Sequence, residues 1–127
     1  MTRKLYTLCG ADAGRHFSPH VWKVEMALRH KGLDFEGVPT PFTKIPEIEG
    51  GATKTVPLLV DGETKVADSF AIAGYLEKTY PDAPSLFGGP GGRAAARFIE
   101  RWSLLNVHAL LMPVILMDIH DGLADAD

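Results

Sequence analysis

The sequence has few of the features that mark disulfide-bonded, metal-binding or nucleic-acid-binding proteins. It contains one cysteine, Cys9, which excludes an intrachain disulfide and a cysteine-rich metal cluster. A reducing, cytoplasmic compartment is therefore expected. Lys and Arg number 13 against 16 Asp and Glu, for a formal net charge of −3. Such a chain offers no basic surface to a phosphate backbone, so we expect a small-molecule ligand and no nucleic acid.

Long apolar runs are also scarce. Arg3 and Lys4 are not followed by the apolar region that a secretory signal needs. The main charge-free apolar stretch runs from Trp102 to Met117 and includes Asn106. It is shorter than the roughly 20 residues that span a bilayer, so the sequence predicts no membrane partner.

The 127 residues are 46% hydrophobic and 23% charged, which is close to the globular average. This length and composition suit one ordinary domain, or one small domain with a fragment of another. The chain can therefore bury a core without disulfide bonds.

The first half of the chain predicts a strand, a helix and a second strand. Leu5 to Leu8 is a short apolar run that ends at a loop rich in Gly, Ala and Asp. Ser18 before Pro19 is typical of a helix start, because a serine oxygen caps free N–H groups and proline suits the first helical position. We expect that helix to end at Gly32 and a strand to follow over 34–38.

A hairpin and another helix follow an irregular segment that contains three prolines, where we expect about one helical turn. Residues 58–60 and 65–67 flank Asp61 and Gly62, a pair that suits a tight reversal. Apolar residues at helical spacing then run from Ser69 to Tyr80 and stop at Pro81. The predicted order is βαβαββα, an α/β fold.

The end of the chain predicts a linker and one long helix. Pro81 to Gly92 is rich in proline and glycine, and Arg93 begins a helical pattern. Past Trp102 this helix is apolar around nearly its whole circumference, so it needs to be surrounded. Because the segment after Asp118 is short and acidic, we expect covering residues from a longer helical domain or from a partner chain.

Three features together resemble the glutathione S-transferases: a helix that opens at Ser18-Pro19, the run Thr55-Val56-Pro57 before a strand, and a helix that opens at Asp68-Ser69. The resemblance implies a thioredoxin-like N-terminal domain at 1–81, a linker at 82–92 and the first helix of an incomplete all-α domain at 93–127. It also implies glutathione as co-substrate. The apolar faces of the last helix, which need to be covered, separately lead us to expect a homodimer.

A narrower resemblance is to the bacterial β-aryl etherases, which cleave lignin-type ethers. It rests on the segments Ser18-Pro19-His20-Val21-Trp22, Ala27-Leu28-Arg29-His30-Lys31-Gly32, Phe42-Thr43, Tyr80-Pro81-Asp82 with Leu86-Phe87, and Asp118-Ile119-His120-Asp121. His16 departs from the small hydroxyl residue that these enzymes have two positions before the serine.

Ser18 is the predicted catalytic residue. Its hydroxyl precedes a helix N-terminus, where the dipole and free N–H groups favour an anion such as a thiolate. Glutathione's thiol is only partly ionised at neutral pH, and a hydroxyl donor raises the thiolate fraction. The alternative is a serine that only caps the helix.

The resemblance assigns glutathione-binding roles to six residues. Pro57 resembles the cis-proline of thioredoxin folds, with Val56 pairing its backbone to the cysteinyl part; the alternative is an ordinary trans proline. Asp68 and Ser69 resemble the pair that holds the γ-glutamyl group, although alone they form only a helix cap. Lys44 and Lys54 are candidates to neutralise the glycyl carboxylate, or are simply solvated.

Other candidate sites are weaker. Cys9 at a strand end is more typical of a buried small residue than of a nucleophile. The spacing of His16 and His20 suits a metal ion only if both residues lie on the same helix. Because Pro19 starts the helix between them, no metal is expected. Residues 88–93 are glycine-rich but lack the Gly-Lys-Ser/Thr ending of a phosphate-binding loop.

The leading functional hypothesis is a transferase in which glutathione thiolate attacks an electrophilic carbon of an apolar aromatic substrate, with ether cleavage as one form of this reaction. The alternatives are a glutathione-dependent dehalogenase or isomerase, and a non-catalytic binding module. We expect the hydrophobic substrate to lie between the two domains. Its predicted walls are Phe17, His20, His108, Met112 and Ile115.

Overall fold

The computed structural model describes residues 2–127 and divides into two compact units, residues 2–86 with 123–127 and residues 87–122. The first unit contains β1 (Arg3–Leu8), α1 (Pro19–His30), β2 (Phe35–Thr40), a 3₁₀ segment (Phe42–Gly50), β3 (Leu58–Asp61), β4 (Thr64–Ala67) and α2 (Ser69–Thr79). This order confirms the predicted α/β, thioredoxin-like arrangement.

The sheet has the strand order β2-β1-β3-β4. β1 lies parallel to β2 and antiparallel to β3, with Tyr6 opposite Leu58. β4 returns antiparallel to β3, with Ala67 opposite the same Leu58. The carboxyl ends of β1, β2 and β4 and the amino end of β3 therefore lie at one end of the sheet.

The core lies on both faces of this sheet. On one face, Leu5 and Leu59 pack with residues of α1 and α2, among them Leu28 and Leu76. A second cluster joins strand residues to the 3₁₀ segment; its buried members are Leu8, Val21, Ile45, Ile48, Leu58 and Val60. The alternation of neighbouring strand residues between the two clusters is that expected of a sheet with both faces covered.

Several element boundaries differ from the sequence predictions, and three of the differences have a clear physical reason or consequence. β2 continues through Pro39 to Thr40, because β2 is an edge strand, where a missing N–H is tolerated. The segment after it, Phe42–Gly50, is 3₁₀ helix over more than the one predicted turn, with a kink where Ile48 is extended and Glu49 is left-handed. The last helical region begins at Pro90, within the predicted linker, because proline suits the first helical position.

The second unit consists of one continuous helical run. It comprises α3 (Pro90–Trp102), a π-type segment (Ser103–His108) and α4 (Ala109–Asp121). None of its residues is buried, and large apolar side chains such as Phe98, Leu110 and Val114 are exposed.

This run of 32 residues is long and apolar enough, by length and composition, to cross a membrane. The sequence-based count did not predict this, because it considered only the charge-free stretch from Trp102 to Met117, whereas the helical run extends beyond both ends of that stretch. The core helix of a water-soluble protein passes the same test, so the observation is weak evidence for a membrane.

A buried ion pair links α1 to the chain after α2. The Lys31 side chain is fully buried, and its Nζ donates to Glu77 Oε1 at 2.8 Å and to the Tyr80 carbonyl at 3.2 Å. The other Glu77 oxygen accepts from the Ser85 hydroxyl and the Leu86 N–H. Glu77 thereby fixes Ser85 and Leu86, where the chain leaves the first unit.

A second polar contact holds the 3₁₀ segment against the sheet. The Tyr6 hydroxyl donates to Glu49 Oε1 at 2.5 Å, and Lys65 lies 3.6 Å from the other carboxylate oxygen. This hydrogen bond, together with burial, raises the pKa of Tyr6 to about 12. The same hydrogen bond lowers the pKa of Glu49.

We predict that the two ends of the Lys31–Glu77 pair are unequal in unfolding experiments. Glu77→Leu leaves a buried ammonium without its carboxylate and should cost about 3 kcal/mol, whereas Lys31→Met leaves a half-exposed carboxylate with other donors and should cost about 1 kcal/mol. Urea unfolding measures both. Equal losses would contradict this account of the pair.

We predict that Glu49→Gln moves the Tyr6 pKa from about 12 back toward its ordinary 10.0. Tyrosinate absorbance measures this titration, and Tyr6→Phe identifies which phenol is observed. Because the folded pKa lies above the ordinary value, the contribution of Tyr6 to stability is complete below pH 10 and is lost as the pH rises toward 12. An unchanged titration in the Gln variant would show that Glu49 does not hold the phenol.

Candidate active site

The predicted site residues of the first unit follow from the sheet register. Ser18 comes after the carboxyl end of β1, Pro57 directly precedes β3, and Asp68 directly follows β4. Because β1 and β4 both pair antiparallel with β3, these chain segments lie at the same end of the sheet. The N-termini of α1 and α2 are thus presented at one edge, a place that favours anionic groups.

Ser18 is buried and caps α1. Its backbone is extended, and its hydroxyl oxygen accepts from the Val21 N–H at 3.5 Å. The Ser18 carbonyl accepts from the Trp22 N–H at 3.1 Å. The contact with Val21 uses a lone pair of the hydroxyl, so the hydroxyl proton can be donated to an anion at the helix end. Capping and donation to an anion are compatible.

The Val56–Pro57 peptide bond is cis, as the resemblance implied. Pro57 is buried, and Val56 is half-buried against the same cluster that contains Val21 and Leu58. The Thr53 hydroxyl donates to the Thr55 carbonyl at 2.7 Å and accepts from the Thr55 N–H at 3.1 Å. This short loop fixes the approach to Val56.

Asp68 and Ser69 open α2. Asp68 Oδ2 accepts from the Ala71 N–H at 2.9 Å, while its backbone has a φ of 73°, a region that a non-glycine residue rarely adopts. Ser69 is buried and Asp68 is exposed. Strained backbone of this kind concentrates at functional sites.

The two candidate lysines are less constrained. Lys44 lies in the 3₁₀ segment with an exposed side chain, and its Nζ lies 3.1 Å from Glu47 Oε1. Lys54 is exposed in the loop before Thr55. Neither lysine is held in a fixed direction by a buried partner, so their roles stay predictions.

The predicted substrate walls divide between the two units. Phe17 is half-buried, and its ring lies 6.4 Å from that of Phe42. His20 is half-buried on the first turn of α1. In the second unit, the half-buried residues include His108, Met112 and Ile115, which share one helical stripe. A pocket formed by both sets stays a prediction.

Cys9 and the two nearby histidines do not form a second chemical centre in the described residues. Cys9 is buried, and burial together with the carboxylates of Asp127 and Asp12 raises the pKa of its thiol. A raised pKa lowers the thiolate fraction. Within residues 2–127, no group of three or more His, Cys, Asp or Glu side chains is arranged to hold a metal ion.

Sequence reasoning missed a polar network beside Ser18. His16 Nε2 lies 2.8 Å from Glu25 Oε2, and the other oxygen of Glu25 accepts from Arg29 Nε and Nη2 at 3.0 and 2.8 Å. The i,i+4 spacing of Glu25 and Arg29 on a predicted helix was a detectable signal. The contribution of His16 was not, because it lies outside the helix.

Comparisons with known proteins identify the family of this chain. The sequence profile of the glutathione S-transferase N-terminal domain matches residues 13–85. Over 69 residues, the chain is 42% identical to glutathione S-transferase Z1 of Arabidopsis thaliana, a match that covers 50% of this chain and 31% of that protein. Over 85 residues, it is 38% identical to a probable maleylacetoacetate isomerase of Caenorhabditis elegans, covering 62% and 39%.

A solved structure of a glutathione S-transferase is also similar to this chain. A glutathione S-transferase of Ceriporiopsis subvermispora, crystallised in complex with glutathione, superposes with a TM-score of 0.71 at 27% identity and covers 87% of this chain and 49% of that one. The chain thus spans about a third to a half of the length of these relatives. The profile match extends over more than half of the sequence, from the loop before Ser18 to the end of the first unit, and the chain therefore belongs to the glutathione S-transferase family.

Proposed function

We propose that the first unit binds glutathione at the end of the sheet where Ser18, the Val56–Pro57 bond and Asp68 lie. We further propose that the protein transfers the thiolate of glutathione to an electrophilic carbon. The observation that carries this proposal is the sheet register, which brings three separate segments of the chain to one edge. The glutathione S-transferase of Ceriporiopsis subvermispora, which was crystallised in complex with glutathione, supports the proposal.

Ser18 is the proposed catalytic residue. A sulfur at the α1 N-terminus would meet the positive end of the helix dipole and a hydroxyl that still has its proton to donate. Both interactions favour thiolate over thiol, and donors aimed at a developing anion are among the larger contributions to catalysis. Burial of Ser18 strengthens them by limiting access of water.

Asp68 and Ser69 are proposed to hold the γ-glutamyl end. The α2 N-terminus and the Ser69 hydroxyl suit a carboxylate, and the exposed carboxylate of Asp68 suits an ammonium. Only Asp68 Oδ2 is used in capping, which leaves Oδ1 for the ligand. The backbone of Val56 would pair with the cysteinyl part, and Lys44 or Lys54 would neutralise the glycyl carboxylate.

The reaction forms a carbon–sulfur bond and breaks the bond from the same carbon to a leaving group. In a β-aryl ether the departing group is a phenolate, which takes a proton to leave as a phenol. This substrate class is proposed from the resemblance of the segments around Ser18 and Phe42. Phe17 and His20 of the first unit and His108, Met112 and Ile115 of the second are its proposed contacts.

A second candidate is a glutathione-dependent isomerase, in which the thiolate adds to a substrate double bond and is expelled after rotation. The relative named a probable maleylacetoacetate isomerase favours it, with 38% identity over 85 residues. The two reactions differ in outcome, because isomerisation regenerates glutathione whereas ether cleavage leaves a thioether. Mass spectrometry of glutathione after incubation with each substrate class separates them.

The proposed protein is a homodimer in the cytosol. A non-catalytic binding module is the alternative to the proposed enzyme. Sedimentation of the protein measures its oligomeric state. Glutathione binding without turnover of any aryl ether, halide or unsaturated acid would support the binding module. No glutathione binding by the chain would overturn the proposed function itself.

We predict that Ser18→Ala lowers the thiolate fraction of bound glutathione far more than it lowers glutathione affinity, because the hydroxyl bonds thiolate more strongly than thiol. Loss of the helix cap should cost about 0.5 kcal/mol of stability, the low end for a cap, because the contact with Val21 is long. Ultraviolet absorbance of the thiolate and calorimetry measure the two effects.

Ser18→Asp is the matched control, because an ionised carboxylate caps a helix but has no proton to donate. It should keep the stability and lose the thiolate. A wild-type thiolate fraction in Ser18→Ala would remove Ser18 from the mechanism.

We predict that Asp68→Asn chiefly weakens glutathione binding, since it keeps the cap and a residue type that tolerates positive φ but removes the charge for the ammonium. The loss should be about tenfold, as for one charged hydrogen bond. Calorimetry with glutathione measures it, and des-γ-glutamyl peptide, which lacks the proposed partner, should bind both forms equally. Equal glutathione affinity in both forms would contradict the assignment.

A further inference from the structure

His16 makes contacts that glutathione binding does not explain. Its imidazole Nε2 lies 2.8 Å from Glu25 Oε2, and its ring centroid lies 4.4 Å from that of Trp22. Its backbone forms an isolated antiparallel bridge with Cys9 at the end of β1. One residue therefore joins the strand before the site to the helix after it.

The Glu25 contact is built into the fold. The Glu25 side chain is only 9% exposed, and both of its oxygens are engaged, one by His16 and one by Arg29. Arg29 in turn lies over the Phe35 ring of β2 at 5.6 Å. The network thus runs from the loop, along α1, to the edge strand of the sheet.

The proton in this contact can be placed by chemistry. A carboxylate only accepts hydrogen bonds, so Nε2 carries the hydrogen that is donated to Glu25. In the neutral ring, Nδ1 then holds a lone pair; this atom is buried and has no partner among the described residues. A side chain with one donor and one fixed acceptor has one preferred orientation.

The cap on α1 does not by itself fix the Ser18 hydroxyl. The distance of 3.5 Å from Ser18 Oγ to the Val21 nitrogen is at the long limit of a hydrogen bond, where the interaction is weak. The direction of the hydroxyl must then come from the backbone on either side. On one side the Phe17 N–H donates to the Leu8 carbonyl at 3.3 Å, and on the other the Trp22 N–H donates to the Ser18 carbonyl.

We propose that His16 is a positioning residue for Ser18: the hydrogen bond from its imidazole to Glu25 clamps the chain two residues before the serine and so sets the direction of the hydroxyl. This inference rests on the proposed function. His16 itself touches no reacting atom in this proposal. Its effect on the thiolate is transmitted through Phe17 and the first turn of α1.

Two substitutions separate the hydrogen bond from the ring contact. His16→Phe keeps an aromatic ring for Trp22 but removes the donor to Glu25, whereas His16→Gln keeps an N–H donor and removes the ring. His120→Phe, at an exposed ring in α4, controls for the replacement of a histidine by phenylalanine. Each variant is made in the same 127-residue chain.

The first readout is the thiolate fraction of bound glutathione, followed by ultraviolet absorbance. We expect His16→Phe to lower it about tenfold, less than the loss of a whole oxyanion donor, with glutathione affinity by calorimetry close to that of the wild type. His16→Gln and His120→Phe should keep the wild-type fraction. A merely structural role would lower affinity and stability without a selective loss of thiolate.

The second readout needs no glutathione. Hydrogen exchange at the Val21 amide reports the bond to Ser18 Oγ, and exchange at the Phe17 amide reports the bond to β1. Both should be faster in His16→Phe and unchanged in His16→Gln. Wild-type exchange in His16→Phe overturns the proposal, as does an equal thiolate loss in both His16 variants. A wild-type chain that binds no glutathione overturns the proposed function instead, and the exchange experiment still decides whether the clamp exists.

Discussion

The antiparallel pairing of β3 with both β1 and β4 is the constraint on which the site depends. It places Leu58 opposite Tyr6 on one side and opposite Ala67 on the other. Ser18, Pro57 and Asp68 are separated by 39 and 11 positions along the chain, yet they follow or precede strand ends that lie side by side. Because side-chain direction alternates along a strand, a shift of this register by one residue would also exchange the two core faces. The apolar packing on both sides of the sheet therefore protects the register and, with it, the site.

Polar contacts hold the segments between the strands and helices in place. Lys31 and Glu77 tie the end of α1 to the chain that leaves α2, and Tyr6 and Glu49 hold the 3₁₀ segment on the sheet. Glu25 does the same for the loop before α1 through His16. Such a contact is costly to break where the partner left behind is buried, as Lys31 and Glu25 are.

The local signals in the sequence were sufficient for most of the fold. Ser18-Pro19 and Asp68-Ser69 carry their own capping chemistry, and both start helices at the predicted positions. The predicted hairpin around Asp61 and Gly62 was also confirmed. The errors lie where tertiary context overrides a local rule. Pro39 did not end β2, because nothing pairs with the outer side of an edge strand in the described sheet.

The sequence by itself determined the order of elements, the starts of α1 and α2 and the family resemblance, because caps, prolines and apolar periodicity act over a few neighbouring residues. Only the tertiary structure decided that Asp68 adopts a positive φ and that His16 meets Glu25. These features depend on groups that are brought together by the sheet and by the packing of α1 on it. A contact between a loop histidine and a buried helix carboxylate has no periodic signature, since its energy comes from a shared, water-poor environment that exists only once the core has formed.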